Sequence, residues 1–374
     1  MWLQFDRFTY LTYRKKTSHR SSSVSNRSYE HQIEVKRCPS CGQSPKAVFS
    51  GDVTAPVQYE PRMRGLGVYL SQYQLMPYKR IAELMGHWFI ICPSETTILK
   101  ANEQVYLQLE TVEHEIAESI VQSAVAHFDE TGLRVEGKLW WCHIASTGQL
   151  THYTVHHKRG VDAMEVANIL PRFEGIAVHD SWNPYFQYDG CHHALCNAHL
   201  LRELTFLYEQ EKQVWAKSMS DLLLEIYQSV KKSREQEQSL DLPTILGFVA
   251  RYDHILQGRF SEEARTQPLQ PREKKRGKVK QSKSKNLLDR MQECRRNVLS
   301  FLCDPDIPFD NNQAERDVRM IKVQQKISGT FRSEDGANIF CRIRGYVSTA
   351  KKSSLSVIEA IYGALQGQPY RFAK

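Results

Sequence analysis

The spacing of apolar residues first predicts helices. Between residues 66 and 122, apolar positions recur at helical intervals in three short units. The last unit has successive intervals of four, three, four and four, through Val105, Leu109, Val112, Ile116 and Ile120. Such short amphipathic helices are typical either of a helix-turn-helix-like DNA contact or of a plain helical connector, and the pattern leaves both readings open.

After residue 122 the apolar spacing becomes strand-like, with turns predicted at Glu136-Gly137 and Thr147-Gly148. In order, the predicted elements are strands over 123–135, 138–147 and 150–158, a helix over 162–170, strands over 175–182 and 192–196, and a helix from Asn197. Three consecutive strands followed by alternating helices and strands match the order of a ribonuclease H-like core.

Helical spacing returns from Leu200, where one face is predicted to carry Trp215, Met219, Leu222, Ile226 and Val230. The fold class expected is therefore α/β. The order of elements predicts a ribonuclease H-like mixed-sheet core, preceded by a small Cys-knuckle and helical segment, and the family resemblance given below implies that this core is catalytic and contains a mostly helical insertion. Ahead of the core we expect a poorly ordered, atypical lead-in at 1–35, a partial zinc-ribbon-like knuckle at 36–60 and a helical candidate DNA-binding segment at 61–122. The first part of the core is expected at 123–204, the insertion with a basic loop (272–285) at 205–303, and the closing part of the core at 304–350. A C-terminal helix is expected at 351–374.

Composition narrows the class of protein. The 374 residues include 41% hydrophobic and 25% charged positions, which is ordinary for a globular chain of two or three domains. The net charge of +8 favours an anionic partner, with nucleic acid first. No apolar run is long enough to span a membrane, and the N-terminus lacks the apolar block of a signal peptide. Nine cysteines without a disulfide rhythm suit a reducing cytosol, so we expect a cytoplasmic protein.

Two aspartates each end an apolar strand-like run, Asp129 in "AHFDETG" and Asp180 in "IAVHDSW". Either one alone is typical of a strand-end turn or cap. Together with Glu315 they form a set of three carboxylates, which repel one another around one point unless divalent cations neutralise them. Oxygen ligands suit Mg²⁺ or Mn²⁺. Two such ions about 3.5–4 Å apart activate water and stabilise the leaving oxygen of a phosphodiester.

Glu315 lies in an unusual stretch, "FDNNQAERDVR", at residues 309–319. Asn312 and Glu315 have the Asn-x-x-Glu spacing of a capping box, in which each side chain bonds the other residue's backbone amide. A catalytic carboxylate held at the start of a helix is the other reading. The two roles are compatible.

Several stretches together resemble the insertion sequence 66 family of bacterial transposases, in the DDE transposase/integrase group. The resemblance runs from about residue 35 to residue 369. It is carried by "APVQYEPRMRGLGVYLSQYQLMPYKR", "FDETGLRVEGKLWW", "VHDSWNPYF", "HALCNAHLLREL" and "NNQAERDVRMIKVQQKISGTFRS". It implies an enzyme that cuts and joins DNA at the terminal inverted repeats of its own mobile element.

The resemblance also implies roles for individual residues. Asp129 and Asp180 become the first two catalytic and metal-binding carboxylates, and Glu315 the closing one. The interval of 135 positions between the last two contains the insertion. The residues expected to contact DNA phosphates are Arg316, Arg319 and Lys322 beside the glutamate, and Lys274, Lys275, Arg276 and Lys278 in the basic loop.

Two cysteine motifs raise the question of zinc. Cys38 and Cys41 form a Cys-x-x-Cys knuckle, but family members usually carry a second pair upstream and residues 1–37 contain no cysteine. A structural zinc ion takes four ligands, so we expect an incomplete N-terminal site in a truncated or mis-started copy. Cys196-x-x-His199 resembles a signature of several DDE families, and it is either a zinc ligand pair or a buried structural pair.

Three functional hypotheses result. The first is a transposase that acts on terminal inverted repeats and target DNA, as a homo-oligomer on DNA and with element-encoded accessory proteins. The second is a truncated, transposition-defective copy that acts only as a DNA-binding or partner-binding protein. The third is a ribonuclease H-type nuclease with other substrates, which fits the flanking motifs less well.

Overall fold

The computed structural model describes residues 11–22, 25–266, 281–304 and 306–372. Within them the strands are β1 Leu11–Ser22, β2 Ser25–Lys36, β3 Val57–Tyr59, β4 Val125–Val135, β5 Lys138–Ser146, β6 Thr151–His156, β7 Ile176–His179 and β8 His192–Leu195. The helices are α1 Pro61–Val68, α2 Tyr78–Phe89, α3 Glu95–Gln108, α4 Glu110–Val121, α5 Val161–Ala167, α6 Asn197–Glu211, α7 Val214–Glu235, α8 Leu242–Thr266, α9 Lys283–Glu293, α10 Arg295–Val298, α11 Ser300–Cys303, α12 Asn312–Ser328, α13 Glu334–Lys352 and α14 Val357–Leu365. None of the helices described is long and apolar enough to cross a bilayer.

The described chain forms two compact units. The first contains the residues up to Glu115, the turn Val135–Gly137 and the residues from Val323 onward. The second contains Ile116–Arg134 and Lys138–Lys322. The division falls inside α12, whereas the sequence predicted one segment over 304–350.

The first unit begins with a sheet of order β2-β1-β3, in which β1 and β2 are antiparallel and β3 runs parallel to β1. Much of the segment 1–35, expected to be a poorly ordered lead-in, belongs to the paired strands β1 and β2, which have twelve residues each. Strand pairing uses backbone amides and carbonyls, which serine-rich sequence supplies as well as any other. Because the segment has few apolar residues, its side-chain pattern did not predict the pairing of β1 with β2.

The helices of residues 61–122 pack with the C-terminal helices instead of forming a separate segment. Arg342 on α13 donates through Nε to Glu113 (2.6 Å) and through Nη1 to the carbonyl of Tyr106 (2.9 Å). Gln104 on α3 donates to the carbonyl of Leu365 at the end of α14 (3.1 Å). These contacts join parts of the chain that sequence spacing treats as independent.

The second unit contains a five-stranded mixed sheet of order β6-β5-β4-β7-β8. Strands β5 and β6 are antiparallel, whereas β7 is parallel to both β4 and β8. The predicted order of strands and helices is confirmed, as are both predicted turns. At Glu136-Gly137 both residues have positive φ, 51° and 76°, as a tight type I′ hairpin turn requires.

Helices cover this sheet and form its core. Val178 and Leu195 pack with the buried faces of α6 and α7 in one apolar cluster. The predicted face from Trp215 to Val230 is confirmed, since all five of its residues are buried on α7. The helix does not run unbroken from Leu200, because Lys212 takes a left-handed conformation (φ 55°) that ends α6.

The insertion leaves the sheet and returns to it at nearly the same place. The amide of Asn197, at the start of α6, donates to the carbonyl of Phe309 (3.0 Å). Two residues further on, the amide of Asn311 donates to Sγ of Cys196 (3.1 Å). These bonds place the start of α12 beside the end of β8.

Candidate active site

The strand register brings three chemically active residues to one edge of the sheet. His127 of β4 pairs with Val178 of β7, so Asp129 and Asp180 occupy equivalent positions two residues further along. His179 pairs with Leu195 of β8, so Asp180 and Cys196 are likewise equivalent. The three residues therefore lie side by side, Asp180 and Cys196 directly after the ends of β7 and β8 and Asp129 within β4, which continues to Val135.

Glu315 reaches this edge from the first turn of α12. Its amide donates to the carbonyl of Asn311 (3.1 Å), the first backbone bond of the helix. Asn311 is buried, with Oδ1 2.8 Å from Nδ1 of His127 and Nδ2 donating to the carbonyl of Phe128 (2.8 Å). The helix start is thus fixed to β4 by a side-chain amide.

The predicted cap at Asn312 is wrong by one residue. Asn312 is already the first helical residue, and Asn311 occupies the capping position before it. The Asn311 side chain bonds the strand rather than the helix amides, because its burial beside β4 offers it partners there. No reciprocal capping box is needed to place Glu315.

Asp129 lies in a field of other carboxylates. Burial, the largest cause, and the charges of Glu130, Asp180 and Glu315 together raise its pKa to about 7, while the backbone amide of Glu130 opposes the shift. A carboxyl group perturbed by several like charges is typical of functional sites. The two aspartates and the glutamate, 186 positions apart at their extremes, share one electrostatic environment.

Each of the three carboxylates has one oxygen already bonded. Oδ1 of Asp129 accepts from the amide of Glu130, and Oδ1 of Asp180 accepts from the amide of Trp182, both at 2.8 Å. Oε1 of Glu315 accepts from Nη2 of Arg202 at 2.9 Å. Within the described ranges, the second oxygen of each has no hydrogen bond. Each carboxylate therefore keeps one hard oxygen donor, although among the described residues these three do not form a group whose donor atoms all lie within 4.8 Å of one another.

A fourth carboxylate, Glu130, was missed by the sequence reasoning. Its side chain is only 2% exposed and accepts from Arg159 through Nε (3.0 Å) and Nη2 (2.6 Å), and from the hydroxyl of Tyr185. Burial raises the pKa of Glu130, and the bonds from Tyr185 and Arg159 oppose that shift. Its position directly after Asp129 was the available signal, but its partners lie 29 and 55 residues away.

Two tryptophans complete the wall of this side of the site. The guanidinium of Arg159 lies 4.7 Å from the ring centroid of Trp141 and 4.0 Å from that of Trp182. Such stacking is favourable for a planar cation and fixes its direction. Trp141 and Trp182 thus line this side of the site.

The comparison with known families agrees with this arrangement. The sequence model of the Transposase IS66 family matches residues 56–339, well over half of the chain. The chain belongs to this family. No curated protein matches the chain. Membership in the IS66 transposase family supports a role in transposition of a mobile element and an association with DNA.

The basic residues that were predicted to contact DNA in this IS66 family chain differ in their exposure and in their hydrogen bonds. Arg316 and Arg319 are exposed on α12, and Arg319 lies one turn beyond Glu315. Lys322 donates to the backbone carbonyl of Gly132, and burial lowers its pKa. Lys274, Lys275, Arg276 and Lys278 lie outside the described residues.

Cys196 and His199 meet Glu315 rather than a second cysteine. Sγ of Cys196 is 3.9 Å, and Nδ1 of His199 3.4 Å, from Oε1 of Glu315. In the part of the chain that is described, this is the one group of three or more His, Cys, Asp or Glu side chains whose donor atoms all lie within 4.8 Å. The neighbouring His193 is held elsewhere, between His179 and the carbonyl of Tyr188 (both 2.9 Å).

The N-terminal knuckle has a different character. Cys38 and Cys41 are close enough for hydrogen bonds from Cys41 to lower the pKa of Cys38. Neither cysteine belongs to a group of three metal ligands among the residues described.

Proposed function

We propose that the protein is a DNA transposase that cleaves DNA at the terminal inverted repeats of a mobile element and joins the freed end to target DNA. Membership in the IS66 family supports the role. The strand order, with three consecutive strands on one side and two parallel strands on the other, supports a ribonuclease H-like core. A cytoplasmic location, a homo-oligomer on DNA and element-encoded accessory proteins belong to the same proposal.

The observation that carries the proposal is the shared environment of Asp129, Asp180 and Glu315. They come from two neighbouring parallel strands and from a helix more than a hundred residues later, yet the latter two carboxylates act on the pKa of the first. Burying three like charges together is unfavourable without a compensating cation. A fold maintained only for stability would not collect them.

The donor set fits Mg²⁺ or Mn²⁺. Asp129, Asp180 and Glu315 would hold the ion through the oxygens that have no hydrogen bond in the described structure. When bound, such an ion supplies an activated water and stabilises charge on the phosphodiester oxygens. The amides of Glu130 and Trp182 orient the two aspartates by holding their other oxygens.

Surrounding residues position this centre and the substrate. The bond network of Glu130, Arg159 and Tyr185 fixes the middle of β4, where Asp129 lies. Arg316 and Arg319 present exposed guanidinium groups next to Glu315, where they bind phosphate oxygens in pairs. Phosphate contacts of this kind orient the DNA and carry no base information.

A strand-transfer assay on element-end DNA with Mg²⁺ tests the proposal. We expect Asp129→Ala, Asp180→Ala and Glu315→Ala each to abolish cleavage while DNA binding is largely retained. Asp162→Ala is the matched control, since Asp162 is an exposed aspartate of the same unit, and it should cleave like the parent.

Three results would count against the proposal. Near-parental cleavage by one of the three alanine variants would remove that residue from the site. Cleavage lost equally in Asp162→Ala would make the losses nonspecific. A parent that binds element ends but never cuts them would instead support a copy that acts only by binding.

A further inference from the structure

The group formed by Cys196, His199 and Glu315 has a donor set that differs from that of the three carboxylates. It offers one sulfur, one imidazole nitrogen and one carboxylate oxygen. Thiolate and imidazole ligands favour zinc and similar transition metals, whereas Mg²⁺ prefers oxygen alone. The chemistry of this corner is thus distinct from that of the proposed catalytic ion.

The distances within the group are close to those of a tetrahedral centre. With bonds of about 2.3 Å to sulfur and about 2.0–2.1 Å to nitrogen and oxygen, tetrahedral ligands lie about 3.3–3.6 Å apart. The observed separations from Oε1 of Glu315 are 3.4 Å to Nδ1 of His199 and 3.9 Å to Sγ of Cys196. Shifts of a few tenths of an ångström would bring these two separations to tetrahedral values, and the third lies within 4.8 Å.

A second observation points to a ligand here. Nδ1 of His199 is buried from solvent and makes no hydrogen bond, although the side chain as a whole is 37% exposed and Oε1 of Glu315 lies at ion-pair distance, 3.4 Å. A buried nitrogen without a hydrogen bond is unfavourable and calls for an explanation such as a bound ion. A metal on Nδ1 would satisfy it.

Backbone donors also surround the sulfur of Cys196, and they oppose the burial that raises the pKa of its thiol to about 11. The amide of Asn311 donates to Sγ of Cys196 at 3.1 Å, and the Asn311 side chain is itself held by β4. Backbone donors to a ligating sulfur orient it and stabilise its negative charge. Cys196 follows β8 and His199 lies in the first turn of α6, so both ligands are on fixed elements.

We propose that Cys196, His199 and Glu315 bind Zn²⁺. Zinc bound there slows the Mg²⁺-dependent reaction, because its charge neutralises the Glu315 carboxylate that the Mg²⁺ ion requires. The second part rests on the proposed transposase function; the first does not. Arg202 now donates to the same oxygen, Oε1, and through Nε to the carbonyl of Ala198 (3.2 Å), but its side chain is 60% exposed, so water can replace Glu315 as its partner. Three protein ligands leave the fourth position for water or another small donor.

Co²⁺ binding to the full chain tests the site, because a Co²⁺–thiolate bond gives a charge-transfer absorption that oxygen ligands do not. The parent for this test carries Cys38→Ser and Cys41→Ser, which removes the N-terminal cysteines. We expect stoichiometric Co²⁺ with thiolate absorption that Zn²⁺ displaces. Cys196→Ser should remove the absorption, and His199→Asn should weaken binding at least about 10-fold, the lower end of what the loss of even an outer partner causes.

Two further variants sharpen the result. Cys303→Ser changes an exposed cysteine outside the cluster and should leave the absorption unchanged. Arg202→Gln removes a competing positive charge and should tighten binding severalfold. Folding of Cys196→Ser is checked by circular dichroism, and serine retains an acceptor for the amide of Asn311. Absent thiolate absorption in the parent, or absorption that survives Cys196→Ser, would overturn the site.

Cleavage assays then separate this inference from the proposed function. Zn²⁺ added to the Mg²⁺ reaction should lower the rate of the parent at least about 10-fold more than that of Cys196→Ser, each relative to its own zinc-free rate. Equal inhibition of both would overturn the inhibitory role while the site stands on the Co²⁺ result. If the parent never cleaves, the proposed function fails and the inhibitory role with it, and the spectroscopic result still decides the site.

Discussion

Arg159→Ala would leave a buried carboxylate without its cation. In the folded protein Glu130 is 2% exposed and is held by Nε and Nη2 of Arg159 at 3.0 and 2.6 Å. The variant removes both charge-assisted bonds and the stacking on two tryptophans. Glu130 must then either take a proton or remain charged away from water, and both outcomes destabilise the fold.

The expected loss can be bounded from this geometry. Removing one partner of a buried ion pair costs about 3–5 kcal/mol. The Arg159 side chain is 38% exposed, so water can reach the space it vacates, and Tyr185 still donates to Glu130. We therefore expect the lower end, about 3 kcal/mol. With a urea slope of about 2 kcal/mol per M, the unfolding midpoint falls by about 1.5 M.

Urea unfolding followed by tryptophan fluorescence measures this loss, since four of the six tryptophans lie in the second unit. Arg251→Ala is the matched control. Arg251 makes the same two-bond pair with Glu225 (2.7 and 2.6 Å), but both side chains are about half exposed, and it should cost at most about 1 kcal/mol. Adding Glu130→Gln to Arg159→Ala should recover part of the loss. Equal midpoint shifts for Arg159→Ala and Arg251→Ala would refute the reasoning.

Three other predictions concern pH, salt and zinc. Burial lowers the pKa of His143 to about 4, so the stability that its neutral form contributes is complete above pH 6.5 and is lost as the pH falls toward 4. His143→Gln should flatten the acid side of the stability curve measured by urea unfolding, by up to about 3 kcal/mol, and an unchanged curve would contradict this. Glutamine substitutions in the 272–285 run should make the slope of log affinity against log salt shallower by about 0.9 per lost phosphate contact, equally for element ends and unrelated DNA, and an unchanged slope would mean a solvated loop. The four positions are Lys274, Lys275, Arg276 and Lys278. Metal analysis should find little zinc dependent on Cys38 and Cys41; stoichiometric zinc lost in the double serine variant would overturn this.

Sequence reasoning located the central sheet well because its signals are local. Strands β4 to β8 are apolar runs bounded by turn residues such as Gly137 and Gly148, and the pattern fixes them without knowledge of their neighbours. The buried face of α7 follows the helical period for the same reason. The expected roles of Asp129 and Asp180 depended on this placement at strand ends.

Features that depend on distant partners were not predictable. Nothing near Glu130 indicates that Arg159 and Tyr185 will neutralise it. Asn311 and Asn312 are the same residue type, and only the packing against β4 decides which one precedes the helix. Strands β1 and β2 pair through backbone groups, and the pattern of side chains does not predict that pairing. The union of α3 with α14 is likewise a long-range contact.

The meeting of the two ends of the insertion has a consequence for how this chain can change. Asn197 bonds Phe309 and Asn311 bonds Cys196, so the residues of the insertion form a loop whose two ends are held together at the sheet. The entropy of closing such a loop rises by only about 0.6 kcal/mol for each doubling of its length. Helices could be added to the insertion or exchanged within it, provided that the apolar surface at Val178 and Leu195 stays covered. The position of Glu315 is therefore insensitive to the length of the insertion, although the insertion makes up most of the long interval between Asp180 and Glu315.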